Sequence, residues 1–363
     1  MDPITHFMTG ACLSRVGFNR MTAYATLAMT LAAEAPDLDI FWGFGGPLVA
    51  FEHHRGITHT FLAAPVIALV TTGVVWLIHK WSSGRKARRK SSAHRPGLPP
   101  PRWHLIWLFA LVADLSHLLL DYTNDYGIRP FFPFNPHWYA RSIVFIIDPL
   151  IFLALLGALV MPWLFGLTDS EIGARRTLFR GRGWAIAALV FIALWWSLRN
   201  AEHTRALELA RGAGITTEPI TRIAADPSII DPFAWRITAE TADYYQTAQV
   251  HTRHDEILSD PSANVFYKPP VTPAVIAAKQ SWLGRVYLDW SKFPLVTDLG
   301  NVPIENAPPP EPNWHTVQFE DLRFGSPGLG SSLRRVPFGA WTYIGPGNEV
   351  EAIFLGGTEQ RLR

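Results

Sequence analysis

The chain has 363 residues, 48% of them hydrophobic and 17% charged, with a mean hydropathy of +0.11. Ordinary soluble domains carry about 25% charged residues, so this composition excludes disorder, is too apolar for a typical cytosolic enzyme and is too polar for a chain that is membrane throughout. A net charge of +2 without basic residues interleaved with aromatics argues against nucleic-acid binding, and the single cysteine, Cys12, excludes a disulfide framework and a cysteine zinc site. Any metal must therefore be held by His, Asp and Glu.

In chain order, two weaker helices are predicted over 4–18 and 21–33, separated by Asn19 and Arg20. Neither reads as a signal peptide, because Asp2 and His6 stand where a basic region would. Residues 61–79 (FLAAPVIALVTTGVVWLIH) follow, long enough to cross about 30 Å of hydrocarbon at 1.5 Å per residue. Three further apolar runs occupy 103–120, 145–167 and 184–198, the last with tryptophans suited to an interfacial anchor.

The linker over 80–102 carries Lys80, Arg85, Lys86, Arg88, Arg89, Lys90, Arg95 and Arg102 with no acid, and the connection 168–183 carries Arg175, Arg176, Arg180 and Arg182. The positive-inside rule makes both cytoplasmic. Counting outward, the N-terminus, 36–60, 121–144 and everything after Asn200 fall on the extracytoplasmic face of a bacterial inner membrane.

Beyond Asn200, WRITAE, ANVFYKP, RVYLDWSKFPLV, WHTVQFEDLRFG and AWTYIGPGNEVEAIFL read as strands, with a loop over 306–313 (NAPPPEPN). The fold class expected is α+β: a transmembrane bundle of about six helices over 1–200, followed by a soluble, mainly antiparallel β-domain over 201–363. Alternation along the strands does not separate a sandwich from a barrel.

Ionisable residues at the ends of or inside apolar helices need a cavity or a partner. Asp114, His117 and Asp121 are spaced i, i+3, i+7 and so share one helical face, although a buried polar pair or a capping Asp would give the same spacing. Asp37 and Asp39 follow Pro36; His53, His54 and His59 precede the strongest apolar run; and His6 sits on the first turn of a helix capped by Asp2 with Thr5. Taken singly, each of these is ordinary turn, cap or core chemistry. The topology drawn from Lys and Arg alone nevertheless brings all four segments to one membrane face, as a multinuclear site for zinc or manganese requires. Asp148, in FIIDPL, lies at the same level, as a further ligand or an acceptor that orients a histidine.

The runs MDPITHFMTG, PDLD, HHRGITHT, DLSHLLLDYTNDYGIRPFFPF and FIIDP resemble the bacterial membrane-bound metal-dependent hydrolases of the DUF457 or YdjM type, over about the first 165 residues. The resemblance implies a metal-dependent hydrolase without fixing a substrate. More distantly, His117-x3-Asp121 with upstream His and Asp is similar to the zinc-dependent phospholipase C and P1-type nucleases, which imply phosphoester cleavage at a zinc cluster. The chain departs from those enzymes in lacking their N-terminal Trp and their further His-x3-Glu, so a third metal is not expected.

On this reading His6, Asp37, His54, His59, His117 and Asp121 hold two divalent ions, and Asp39 or Asp114 is a bridging ligand or general base. Arg55 and Arg129 grip a phosphate or pair with lipid headgroups. The expected substrate is a lipid or lipid-linked phosphoester entering from the bilayer, with the β-domain as lid, selector or partner surface. Two rivals are a divalent-cation transporter, whose ligands would run through the membrane depth, and a non-catalytic anchor whose structural metal has a closed shell.

Overall fold

The computed structural model describes residues 1–88, 99–171, 179–260, 264–304, 307–324 and 338–360. Residues 89–98 of the basic linker, Arg175 and Arg176 of the second basic loop, residue 306 of the proline-rich tract and the predicted strand ends at 263 and 325 lie outside the described residues.

The helices before the first strand are α1 (Pro3–Val16), α2 (Ala25–Glu34), α3 (Pro47–His53), α4 (Ala64–Arg88), α5 (Trp103–Thr123), α6 (Pro149–Glu171) and α7 (Arg182–Gly212). The chain forms two compact units. One contains Met1–Asp39, Arg55–Ala201 and Ile229–Pro232; the other contains Ile40–His54, Glu202–Ser228 and Phe233–Arg363. The expected boundary after residue 200 falls inside α7, which is continuous there.

In the first unit, Asp2 caps α1 by accepting from the Thr5 N–H at 3.0 Å, with Pro3 preset for the first helical position. Gly10 lets α1 approach α2 so closely that a Cβ there would meet the Met29 carbonyl oxygen. Among the described residues, Ala64–Gly84, Trp103–Thr123, Pro149–Leu167 and Arg182–Gly212 are long and apolar enough to cross a membrane. On α4 they expose Val66, Leu69, Val70 and Leu77, which a lipid environment covers at no desolvation cost. At 14 and 10 residues, α1 and α2 are short, and much of their surface is buried in the bundle.

The second unit holds two antiparallel sheets. In one, β1 (Arg222–Pro227), β2 (Ala234–Glu240) and β3 (Tyr244–His251) pair in order, and β3 also pairs β4 (Glu256–Leu258) and β5 (Val265–Tyr267). Trp235, Ile237 and Val250 on this sheet pack on Ala206 and Ala210 of α7. After α8 (Pro273–Gln280) and α9 (Trp282–Trp290) comes the second sheet, ordered β10-β9-β8-β7-β6. Its strands are β6 (Pro294–Asp298), β7 (His315–Asp321), β8 (Ala340–Ile344), β9 (Val350–Leu355) and β10 (Thr358–Gln360).

One strand expectation is corrected: RVYLDW is the body of α9. Leu283, Tyr287 and Trp290 are buried at i, i+4 and i+7, and Ser281 caps the helix by accepting from Gly284 N–H at 3.0 Å. The helical period overrides the β-propensity of Val, Tyr and Trp, and only the following PLVTD is a strand.

Segment 40–54 is held within the second unit. The Leu48 N–H donates to Gln360 Oε1 at 2.9 Å, the Trp282 indole donates to Glu52 at 3.1 Å, and the Phe51 ring meets Trp290 edge-on at 5.1 Å.

Candidate metal centre

Three segments of the first unit converge. The i, i+4 spacing on α5 points His117 and Asp121 the same way. The 3-10 helix Ala35–Gly45 that follows α2 delivers Asp37, and the short 3-10 turn Ile57–His59 delivers His59. His59 Nε2 lies 3.4 Å from Asp37 Oδ1 and 3.5 Å from Asp121 Oδ2; His117 Nε2 lies 3.6 and 3.4 Å from the same two oxygens. The two Nε2 atoms are 3.0 Å apart. Four ligands about 2.0 Å from a tetrahedral zinc stand about 3.3 Å from one another, so these separations are close to the edges of such a cage.

The donor chemistry agrees with an ion. His117 Nδ1 is 2.7 Å from the Ala33 carbonyl oxygen, which only accepts, so His117 Nε2 presents a lone pair when the ring is neutral. That lone pair and two carboxylate oxygens surround His59 Nε2, and one imidazole proton cannot satisfy three acceptors. Asp37 Oδ2 and Asp121 Oδ2 are buried without a hydrogen-bond partner. The two carboxylates beside two imidazoles supply the charge that a divalent cation offsets.

A surrounding layer fixes these ligands. His59 Nδ1 is 3.0 Å from Thr58 Oγ1 and 3.5 Å from Asp39 Oδ2, and Asp39 also accepts from the Arg55 N–H at 2.8 Å. Asp39 thus sits behind His59, on the ring edge opposite the centre. Asp121 Oδ1 accepts from Arg55 Nη2 at 2.8 Å, from Asn124 Nδ2 at 3.2 Å and from the Met1 nitrogen. Arg55 also donates to Asn124 Oδ1 at 3.1 Å and Gly127 O at 2.9 Å, with its guanidinium 4.7 Å from the Tyr126 ring. Its backbone has φ 52, a left-handed conformation costing about 1–2 kcal/mol for a side-chain-bearing residue. Buried and enclosed in this way, Arg55 pins Asp121.

The other predicted site residues fall around or away from this group. His6 is buried and stacks on the His117 ring at 3.7 Å, with Nε2 at 3.4 Å from Asp121 Oδ1 and 2.9 Å from the Met1 nitrogen. Asp114 is buried one turn before His117, and neither of its oxygens has a hydrogen-bond partner. Arg129 is buried with its guanidinium over Trp138 and Phe132 at 4.6 and 5.0 Å. His54 belongs to the second unit, whereas Asp37, His59, His117 and Asp121 all belong to the first.

Asp148 has a different role from the one expected. Its Oδ1 accepts from Leu150 and Ile151 N–H groups at 2.9 and 3.1 Å, and Oδ2 accepts from the Trp195 indole at 3.0 Å, so it caps α6. Asn124 and Thr58 both lie inside motifs quoted from the sequence, but nothing in the spacing marks either as a partner of the site. The Ala33 carbonyl carries no side-chain signal at all.

A helical bundle with four membrane-capable helices and a histidine-carboxylate group at the end of one of them defines a membrane protein able to hold a metal ion. The chain belongs to the YdjM inner membrane protein family, whose model matches residues 1–206 and so includes the whole group. It is similar to the uncharacterized protein YfhP of Bacillus subtilis (strain 168), 23% identical over 374 residues that cover 98% of this chain and 95% of that protein. No solved structure matches.

Proposed function

We propose that this protein is a membrane-embedded, metal-dependent hydrolase of phosphoesters, acting on a lipid or lipid-linked phosphate. The supporting observation is the convergence of Asp37, His59, His117 and Asp121, every donor within 4.8 Å of every other. Two imidazoles with two carboxylates suit zinc first and manganese second. A divalent ion held there supplies polarisation of a phosphoryl oxygen and a water acid enough to ionise near neutral pH.

The chain's own residues have separable tasks. Asp39 orients His59, and Arg55 orients Asp121. Asp37 is the ligand with a partly exposed side chain, at 14%, while the other three are at 0%. Substrate therefore approaches from the Asp37 side. The four donors form one group and would hold one ion, while Asp121 Oδ1 is already taken by Arg55. In the proposed topology the helices cross the inner membrane several times, with the centre and the β-rich domain extracytoplasmic. A reporter fused after Arg363 tests that orientation.

A specific observation favours a second reading: four protein donors converging on one point, two imidazoles and two carboxylates, can also close the shell of a structural zinc. Elemental mass spectrometry of detergent-purified protein, beside His117→Ala and Asp121→Ala, tests the site. About one equivalent of zinc or manganese, lost in both variants, is expected. Cobalt substitution then separates the readings. A visible spectrum that shifts on adding inorganic phosphate marks a reachable ion and justifies a phosphoester screen, whereas an unmoved four-coordinate spectrum marks a structural one.

A further inference from the structure

The 3-10 helix Ala35–Gly45 changes character along its length. Asp37 faces the metal centre and Asp39 the far edge of the His59 ring, whereas Ile40, Phe41, Trp42 and Phe44 are 72, 58, 48 and 90% exposed. Residues i and i+3 eclipse in a 3-10 helix, so Phe41 and Phe44 share a face; their rings stack at 5.9 Å and 11°. Trp42 is held in place on the His53 ring at 4.3 Å. The result is a preformed aromatic ledge.

Residues 40–51 (IFWGFGGPLVAF) carry no charge. Leu48 and Val49 are buried, and Leu48 and Phe51 are bound within the second unit, so the exposed part is 40–44, too short to cross a bilayer and of a size for its interface only. Its depth follows from covalent geometry. Asp121 lies in the last turns of the membrane-capable span Trp103–Thr123, so the metal centre stands at the end of that span. At a rise of about 2 Å per residue, Phe44 is only about 10 Å along the helix from Asp39. The first unit by itself shows the same signature: Ile57, Leu62 and Phe134 are 56, 55 and 85% exposed in the loops beside His59 and after Asp121. Aromatic side chains at the end of a membrane span partition into the headgroup level.

We propose that residues 40–44, which continue the 3-10 helix of Asp37 and Asp39, form an interfacial finger that places Phe41 and Phe44 in the headgroup–acyl boundary of the bilayer. The partner is the lipid surface itself, and the inference rests on the membrane assignment, so it stands or falls independently of hydrolysis.

The test uses the full chain in nanodiscs of phosphatidylcholine and phosphatidylglycerol. In a Cys12→Ala background, Phe44→Cys is spin-labelled and its collision rates with oxygen and with a water-soluble nickel chelate are measured. Val70→Cys on the lipid-facing side of α4 and Glu256→Cys, exposed on β4, are the lipid and water references. The oxygen-to-chelate ratio at residue 44 is expected to match Val70→Cys. A ratio matching Glu256→Cys overturns the proposal, and so does exclusion of both reagents, which would mean that protein or a second copy covers the ledge. Phe41→Cys, read in the same way, decides the matter if Phe44→Cys does not purify as a folded protein.

Discussion

His117 Nδ1 donates to the carbonyl oxygen of Ala33 at 2.7 Å, so a backbone atom of α2 determines which edge of the imidazole faces Asp37 and Asp121. Ala33 also lies four residues before Asp37. The end of α2 therefore sets two of the four donors at once, one through its carbonyl and one through its own continuation. Where α2 sits in the bundle decides whether the centre is assembled.

That position depends on Gly10. A Cβ at residue 10 would stand 2.9 Å from Ala33 Cβ and clash with the Met29 carbonyl oxygen, so α1 and α2 would have to separate. Gly10→Ala is expected to cost about 1–3 kcal/mol, as overpacking does. It should also weaken metal retention although it touches no donor. Thermal unfolding in detergent and zinc competition against a chromogenic chelator would measure both. Unchanged zinc affinity with a lowered melting temperature would uncouple α2 from the centre.

Arg55 offers a sharper separation of roles. If it pins Asp121, Arg55→Met leaves a buried carboxylate short of its cation, a loss of about 3–5 kcal/mol. Adding Asp121→Asn should recover part of that stability, because the unpaired charge is gone, while abolishing zinc binding. Strictly additive unfolding energies in this double-mutant cycle would contradict the pairing.

How much of this was legible beforehand varies with the physics involved. The Asp114, His117 and Asp121 face and the basic loops follow from periodicity and charge, which are local properties of sequence. Three of the donor-bearing motifs, PDLD, HHRGITHT and DLSHLLLD, were singled out because ionisable residues beside apolar helices need a reason. The geometry selected among their residues in ways no spacing records. His54 went with segment 40–54 into the second unit, and Asp39 moved behind His59. For Arg55 the sequence suggests a phosphate or a lipid headgroup as partner, and its acceptors Asn124 and Gly127, about seventy positions away, leave no local signal. Asp148 was readable, since Asp immediately before Pro is a helix-start signal, but its membrane level gave the metal reading undue weight.

The capping role of Asp148 makes a prediction that separates it from the ligands. Asp148→Ala removes an N-cap, typically about 1 kcal/mol, and leaves the buried Trp195 indole without its acceptor, about another 1–3 kcal/mol. The melting temperature should fall while any bound metal stays at the wild-type value. Loss of zinc from a variant that is still folded would return Asp148 to the metal site.

A final prediction concerns Asp226 in the second unit, whose behaviour with pH should run opposite to that of a paired carboxylate. Asp226 lies on β1 directly across from Arg236 on β2, is 3% exposed, and has no hydrogen-bond partner on either oxygen. Burial pushes its carboxyl up from the ordinary value, and the pull of Arg236, Lys292 and Arg323 does not cancel this. Because the native state holds this proton more tightly than the unfolded chain does, stability from this group is present below the unfolded value of about 3.9 and is lost as pH rises towards the raised native value. Asp226→Asn, which stays neutral, should match wild type at acid pH and become the more stable protein as the solution approaches neutrality. Comparing the melting temperatures of the pair across pH isolates this group, because every other titration is common to both. A gap that stays constant with pH, or one in which the variant loses ground towards neutral pH, would show that Arg236 and Lys292 hold Asp226 charged in the folded protein.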